Sequence, residues 1–268
     1  MAVGWIYLQY LHQQGIFRGG EAKVLDVGCQ NLFSIPEDAG MRFVLENGSR
    51  CEAALLRDTI RELAARSVWP VGSGAPVFLS ELLDLCSIEY TAYDIFPGAQ
   101  TIIFDLNKDT PPAHHIGYFD CVLNFGTTEH IFDQRNAFRV IHDLTRVRGH
   151  IFHQVPTAGY LNHGYWIYSP RTLLELAAAN SYEVIAFWIT GPQGTHQLVD
   201  FVQSDLLRWD DTLPENNRLA WQAAPVPNGL INALFKKTAD APFRIALDTT
   251  TTAGAVAEEF AAKYYRAS

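Results

Sequence analysis

The segment Lys23-Val-Leu-Asp-Val-Gly-Cys29 decides how the rest of the chain is read. A short apolar run that closes on an acid and a glycine is the pattern of a buried parallel strand entering a ligand-binding turn. Gly28 supplies that turn with backbone a ligand can approach, because no side chain intervenes. Just upstream, Trp5-Ile-Tyr-Leu-Gln-Tyr-Leu-His-Gln-Gln14 spaces its large apolar groups at helical intervals, and Gly15 is a stop.

Downstream, the same punctuation recurs. Glu52–Arg66 is an amphipathic helix, with Ala53, Leu56, Ile60, Leu63 and Ala64 on one side and Arg57, Arg61 and Glu62 on the other. Pro70 ends it, and Gly72-Ser-Gly-Ala-Pro76 is a loop. A short helix at Leu79–Leu85 leads to a strand, Ile88–Tyr93, that closes on Asp94. Thr101–Phe104 closes on Asp105, and Phe119–Asn124 is the next apolar strand. Asp133 caps a helix whose apolar face is Ala137, Val140, Ile141 and Leu144. Gly149 turns into a strand, His150–Val155, and Ser169-Pro170 opens a helix that runs through Ala179. Tyr182–Thr190 and Gly229–Phe235 are strand-like, a helix is expected near Gln197–Arg208, Asp210–Asn217 is a polar loop, and a C-terminal helix is expected at about 253–266. Strands alternating with helices at least five times imply an α/β fold, a doubly wound parallel sheet that binds its ligand at the carboxyl ends of the strands.

Composition narrows the partners. With Lys and Arg numbering 20 against 29 Asp and Glu, the net charge of -9 repels phosphate backbones, and no basic cluster exceeds Arg146–Arg148. Nucleic acid is therefore not the expected partner. No apolar run approaches the roughly 18 residues that span a bilayer, and Met1–Gln14 lacks the basic start and cleavage site of a secretory signal. Cysteines at 29, 51, 86 and 121 form neither a C-x-x-C pair nor a disulfide framework. A cytoplasmic protein without membrane contact is expected.

The strand ends are best weighed together: Asp26-Val-Gly28, Asp94, Asp105-Leu106 and Asn124-Phe-Gly126. A single Asp at a strand end ordinarily caps a turn or helix; the ordered set points to a cofactor lying across the sheet. Asp94 is placed to accept hydrogen bonds from both hydroxyls of a ribose, the role of the acid in dinucleotide folds.

This set resembles the class I S-adenosylmethionine-dependent methyltransferases. Val24-Leu-Asp-Val-Gly-Cys29 is similar to their first motif and Tyr93-Asp94 to the acid after their second strand. Phe104-Asp105-Leu106 resembles the adenine-contacting segment, Phe119–Asn124 the fourth strand, and Thr128-Glu-His-Ile131 the segment that follows it. Arg148-Gly149 stands where a Pro-Gly turn is usual. The resemblance covers roughly residues 20–190 and the last strand near 229–237. It implies a Rossmann-like, seven-stranded, mostly parallel sheet whose last strand is antiparallel. It also implies that Asp26, Gly28 and Cys29 line the methionine moiety of S-adenosylmethionine, that Asp94 holds the ribose, that Asp105 and Leu106 flank the adenine, and that Asn124 contributes from the fourth strand. The chain departs from the glycine-rich turn D-x-G-x-G-x-G, since Gln30 and Leu32 fill the later positions. Asp26 and Asp94 are 68 positions apart, where about twenty are usual in the dinucleotide pattern. A helical insertion at about 35–76 after the first strand is inferred, within a single domain covering 1–268, as either a substrate cover, a dimer contact or a surface extension.

Transfer to oxygen requires alignment of donor and acceptor and removal of the hydroxyl proton. Histidine suits that task because its pKa lies near 6.5. His130, which follows Glu129 after the fourth strand, and His163, after the fifth, are the candidate catalytic histidines, with Glu129 as the orienting carboxylate. His153 lies inside a strand and is read as a core residue. Glu129, His130 and His163 also resemble the ligands of metal-dependent small-RNA and quinone-precursor methyltransferases, whose Glu-x-x-Glu-His run is incomplete here because Gly126 takes the first Glu position. No metal is assigned, although a divalent ion at these three residues is the alternative. Tyr160, Tyr165, Trp166 and Tyr168 beside His163 suit a sugar or planar hydroxylated acceptor, or else pack a loop. The run His163-Gly-Tyr-Trp-Ile-Tyr-Ser-Pro170 resembles methyltransferases of sugar and secondary-metabolite pathways. The expected function is O-methylation of a small-molecule acceptor, most simply a sugar or glycosylated intermediate, by a protein that could form a homodimer. N-methylation and non-catalytic cofactor binding are the alternatives. A dinucleotide oxidoreductase is disfavoured, since residues 28–33 lack G-x-G-x-x-G.

Overall fold

The computed structural model describes residues 2–17, 21–68, 76–160, 162–190, 199–200 and 228–247. In chain order the elements are β1 (Ala2–Gly4), α1 (Trp5–Gln13), β2 (Lys23–Val27), β3 (Asn31–Phe33), α2 (Glu37–Glu46), α3 (Ala53–Arg66), α4 (Leu79–Leu83), β4 (Glu89–Asp94), β5 (Thr101–Ile103), β6 (Phe119–Phe125), α5 (Gln134–Leu144), β7 (Thr145–Ala158), α6 (Pro170–Ala179), β8 (Tyr182–Thr190), β9 (Val199–Asp200) and β10 (Gly229–Lys237). A short 3₁₀ turn, Thr128–His130, follows β6.

The main sheet has the order β5-β4-β2-β6-β7-β10-β8-β9. Strands β5, β4, β2, β6 and β7 run parallel. β10 is antiparallel to both of its neighbours, β7 and β8. The sheet is thus the expected seven strands with a two-residue eighth, β9, at one edge. Strand order reverses beside β2, with β4 and β5 on one side and β6 and β7 on the other. A doubly wound sheet opens its ligand crevice at such a point.

Period-two alternation sorts the side chains between two cores. Val24 of β2, Tyr90 and Ala92 of β4, and Cys121, Leu123 and Phe125 of β6 face α1 to α4. Leu25 and Val27, Val122, and Ile151 and Val155 face α5 and α6. α3 buries Leu56, Ile60 and Leu63 as its spacing predicts. The Asp133 side chain accepts the Asn136 amide at 2.9 Å at the start of α5, and Ser169 caps α6 ahead of Pro170. α2 and α3 occupy the stretch between β2 and β4 that the sequence marks as inserted helix.

Some elements differ from the sequence reading. β7 begins at Thr145 rather than at His150: its pairing with β6 shifts register between Phe119 and Cys121, so a bulge absorbs Gly149 instead of Gly149 starting the strand. β1 and β3 form a separate parallel pair, Ala2 to Asn31 through Gly4 to Phe33, that the sequence reading does not contain. Where a helix is expected near Gln197–Arg208, Val199–Asp200 is strand and the remainder lies outside the described residues. The polar loop at 210–217 and the C-terminal helix at about 253–266 also lie outside them. No helix among the described residues is long and apolar enough to cross a membrane.

Candidate active site

The turn after β2 pivots on one buried glycine. Gly28 has φ +118° and donates its amide to the Tyr93 carbonyl at 2.8 Å. A Cβ there would collide with Thr127 Oγ1 and lie 2.8 Å from Gln30 Nε2, so the position requires glycine on conformation and on space. The Asp94 carboxylate faces this turn from the end of β4. One oxygen accepts the Cys29 amide at 2.9 Å, and the other accepts the Phe96 amide at 3.0 Å. Each carboxylate oxygen has a second lone pair, so Asp94 retains acceptor capacity for a diol. Ile95 and Phe96 stand exposed beside it, 54% and 69%, as apolar faces at the crevice. Sequence reasoning passes over both, although their place directly after the strand-end acid is a usable signal.

Asp26 is fully buried because β2 alternation turns it with Val24 toward the core of α1 to α4. Tyr90 donates to its Oδ2 at 3.1 Å, and Oδ1 has no partner. Burial pushes this carboxyl well above the usual carboxylate range, with the nearby Asp94 charge acting in the same direction. Asp105 caps its own turn: Oδ1 accepts both the amide and the side-chain nitrogen of Asn107, at 2.9 and 3.0 Å. Those bonds, led by the Asn107 amide, hold its pKa below the ordinary value. Leu106 is buried, and its carbonyl accepts Asn136 Nδ2 at 2.8 Å. Asn107 Oδ1 in turn takes the amides of Phe132 and Asp133, which ties this turn to the loop after β6.

Asn124 organises that loop. Its Oδ1 accepts the amides of Thr127 and Thr128 at 3.3 and 3.2 Å, and its Nδ2 bonds Thr128 Oγ1 and His153 Nδ1 at 2.9 and 3.0 Å. His153 is fully buried, and burial depresses its pKa to about 3, so it is a neutral core residue as the sequence suggests. The turn Thr128–His130 then brings Glu129 and His130 to the same end of the sheet as Gly28.

Glu129, His130 and His163 come together. One ligand-capable atom from each lies within 4.8 Å of the others. The two imidazole rings meet edge to face, with centroids 4.7 Å apart, and His163 Nε2 is 3.7 Å from Glu129 Oε1. Glu129 is 1% exposed, its Oε2 has no partner, and burial raises its carboxyl to about 7. Burial, and after it the neighbouring His163, lower the pKa of His130 below that of a free imidazole. The loop after β7 is fastened to this acid, for the amides of Tyr165 and Trp166 both donate to the Glu129 carbonyl, at 2.8 and 3.2 Å. Gly164 permits the approach, since a Cβ there would sit 2.8 Å from that carbonyl oxygen.

The aromatic residues divide. Tyr168 is buried and donates to Gln134 Oε1 at 2.6 Å, so its role is packing. Trp166 is pinned through its indole N–H to the Ile131 carbonyl at 2.9 Å. Tyr160 lies against His163, centroids 5.3 Å apart. Tyr165 is 70% exposed and meets Phe132, 72% exposed, at 5.9 Å. Phe132 is absent from the sequence reading because a lone aromatic in a polar loop gives no pattern.

A sheet of this strand order, with a glycine turn at the switch point, is that of a class I S-adenosylmethionine-dependent methyltransferase. The chain belongs to the family described as a methyltransferase domain, which matches residues 50–219, well over half its length. S-adenosylmethionine is its cofactor. Among solved structures it is similar to a SAM-dependent methyltransferase from Archaeoglobus fulgidus (14% identity, 87% of this chain and 93% of that one, TM-score 0.44). It is also similar to 1,6-didemethyltoxoflavin-N1-methyltransferase from Burkholderia thailandensis (12%, 86% and 76%, TM-score 0.40). A third is an O-methyltransferase of a trans-AT PKS multienzyme from Brevibacillus brevis (15%, 85% and 71%, TM-score 0.42). None of these distant likenesses informs the acceptor. No curated protein matches the sequence.

The turn suits the cofactor on its own chemistry. Asp94 is a half-buried acceptor at the crevice, and Asp26 Oδ1 is a buried acceptor without a donor at the same turn. When bound, S-adenosylmethionine supplies an electrophilic methyl group on a sulfonium.

Proposed function

We propose that this methyltransferase acts on a hydroxyl of a small molecule, most simply a sugar or glycosylated biosynthetic intermediate. The observation that carries the reading is the His130 ring held beside His163 and the buried Glu129. Asp94 accepts the ribose hydroxyls, Gly28 and Cys29 border the methionine moiety, and Asp105 and Leu106 border the adenine. His130 takes the acceptor proton, His163 contacts the acceptor, and Glu129 fixes their orientation. Exposed Tyr165 and Phe132 offer flat faces at the rim for a ring-shaped acceptor. The acidic surface favours a small molecule over nucleic acid, and four free thiols suit a cytoplasmic setting.

The test is transfer of labelled methyl from S-adenosylmethionine to a panel of glycosides and hydroxylated aromatics. A positioned base contributes about 10²–10⁴-fold in rate. His130→Ala should lower kcat by that order with S-adenosylhomocysteine affinity within a few-fold of wild type, and His163→Ala should chiefly raise the acceptor KM. Full activity in both variants would remove the histidine base. Transfer only to amines would replace O- with N-methylation.

A second reading rests on the same cluster. Two imidazoles and a buried carboxylate with an unpartnered oxygen form a donor set suited to zinc, manganese or magnesium. Glu129, His130 and His163 would then hold the ion, and its charge would lower the pKa of an acceptor hydroxyl.

A further inference from the structure

Gln30 stands where a glycine-rich turn has its second glycine, yet its side chain does not enter the crevice. It is wholly buried, with Nε2 3.3 Å from Thr127 Oγ1. The carboxamide packs on the face of Gly28 that lacks a Cβ, where one would lie 2.8 Å from the same nitrogen. The main chain around Gln30 is firmly held. Its carbonyl accepts the Leu79 amide at 2.9 Å, and the next residue, Asn31, pairs with Ala2. Thr127, for its part, lies in the loop that carries the acid and the base, two residues after β6. Its amide is held by Asn124 Oδ1, and its carbonyl accepts the His130 amide at 3.0 Å. One side-chain bond therefore spans 97 residues of sequence and joins the cofactor turn to the loop bearing Glu129 and His130.

We propose that Gln30 is a positioning residue that couples occupancy of the Gly28 turn to the placement of His130. The inference rests on the cofactor lying on that turn. A ligand seated on Gly28 restrains the backbone against which the carboxamide packs, the carboxamide restrains Thr127, and Thr127 restrains the amide of His130. Gln at this position gives the turn a side-chain bond to the acceptor side that a glycine there could not make. Coupling of this kind is reciprocal, and it commonly amounts to about 5–150-fold in an equilibrium constant.

The experiment is residue-resolved amide hydrogen exchange on the full chain, with S-adenosylhomocysteine as the probe and its affinity measured in parallel by calorimetry. In wild type, saturating S-adenosylhomocysteine should slow exchange at the amides of His130 and Ile131 by about tenfold. Gln30→Met, similar in volume but unable to bond Thr127, should bind within a few-fold of wild type and lose that slowing. Thr127→Val removes the bond from the other side and should do the same. The double variant should lose no more than either single, since one bond carries the effect. Slowing that persists in Gln30→Met or Thr127→Val overturns the proposal. So does a loss of affinity above tenfold in Gln30→Met, which would make Gln30 a cofactor ligand. Binding to wild type without any response at His130 defeats the coupling alone; no binding to wild type defeats the placement of the cofactor and the coupling with it.

Discussion

The carboxylate of Glu129, sealed from solvent, lies 3.7 Å from the exposed imidazole of His163. Burial holds this acid at about 7, against 4.5 for an ordinary glutamate. Between those values the folded chain keeps a proton that the unfolded chain has released. The stability this group contributes is complete below 4.5 and is lost as pH rises through 7, a change on the order of 3 kcal/mol. Glu129→Gln has no proton to lose. Denaturant unfolding at pH 5 and pH 8 should show the variant gaining on wild type by that order at the higher pH. A variant that loses ground at pH 8 would mean that the ionised carboxylate is stabilised, by a cation or by protonated histidine.

Gly28→Ala should destabilise by about 1–3 kcal/mol, from the left-handed φ and from the overlap with Thr127 and Gln30. Thermal and denaturant unfolding of the variant measure this directly. An alanine tolerated without loss would show that the turn relaxes freely and that the close packing under it is unimportant.

Much of this arrangement is legible in the sequence, because the informative residues sit at strand ends. Asp94, Asn124 and Gly28 each stop an apolar run, and the alternation of runs gives the sheet and its switch point. What the sequence hides is contact between distant segments. β1 and β3 have three residues each, too few for a period to show, and they pair only because the turn after β2 brings Asn31 past Ala2. Gln30 looks like damage to a glycine motif until its side chain is seen turned inward onto Thr127. Gly149 marks a strand start by local rules, whereas sheet pairing carries β7 back to Thr145 through a bulge. The acidic and histidine cluster is half legible: Glu129-His130 is adjacent in sequence, but only the loop after β7, fastened to the Glu129 carbonyl, delivers His163.

Metal removal separates the two readings of that cluster. Dialysis against a strong chelator should leave methyl transfer largely intact if His130 is the base. Activity that disappears and returns with magnesium, manganese or zinc assigns Glu129, His130 and His163 to an ion.

In the proposed arrangement the cofactor lies on the Gly28 turn against Asp94, apart from the base. Calorimetric titration of S-adenosylhomocysteine into wild type, Asp94→Ala and His130→Ala tests it most directly. Each hydrogen bond lost to a charged acceptor costs about 1.5–3 kcal/mol, so Asp94→Ala should bind at least tenfold more weakly, while His130→Ala stays within a few-fold of wild type. Unchanged affinity in a folded Asp94→Ala, or a loss in His130→Ala as large as the one expected at Asp94, would contradict it.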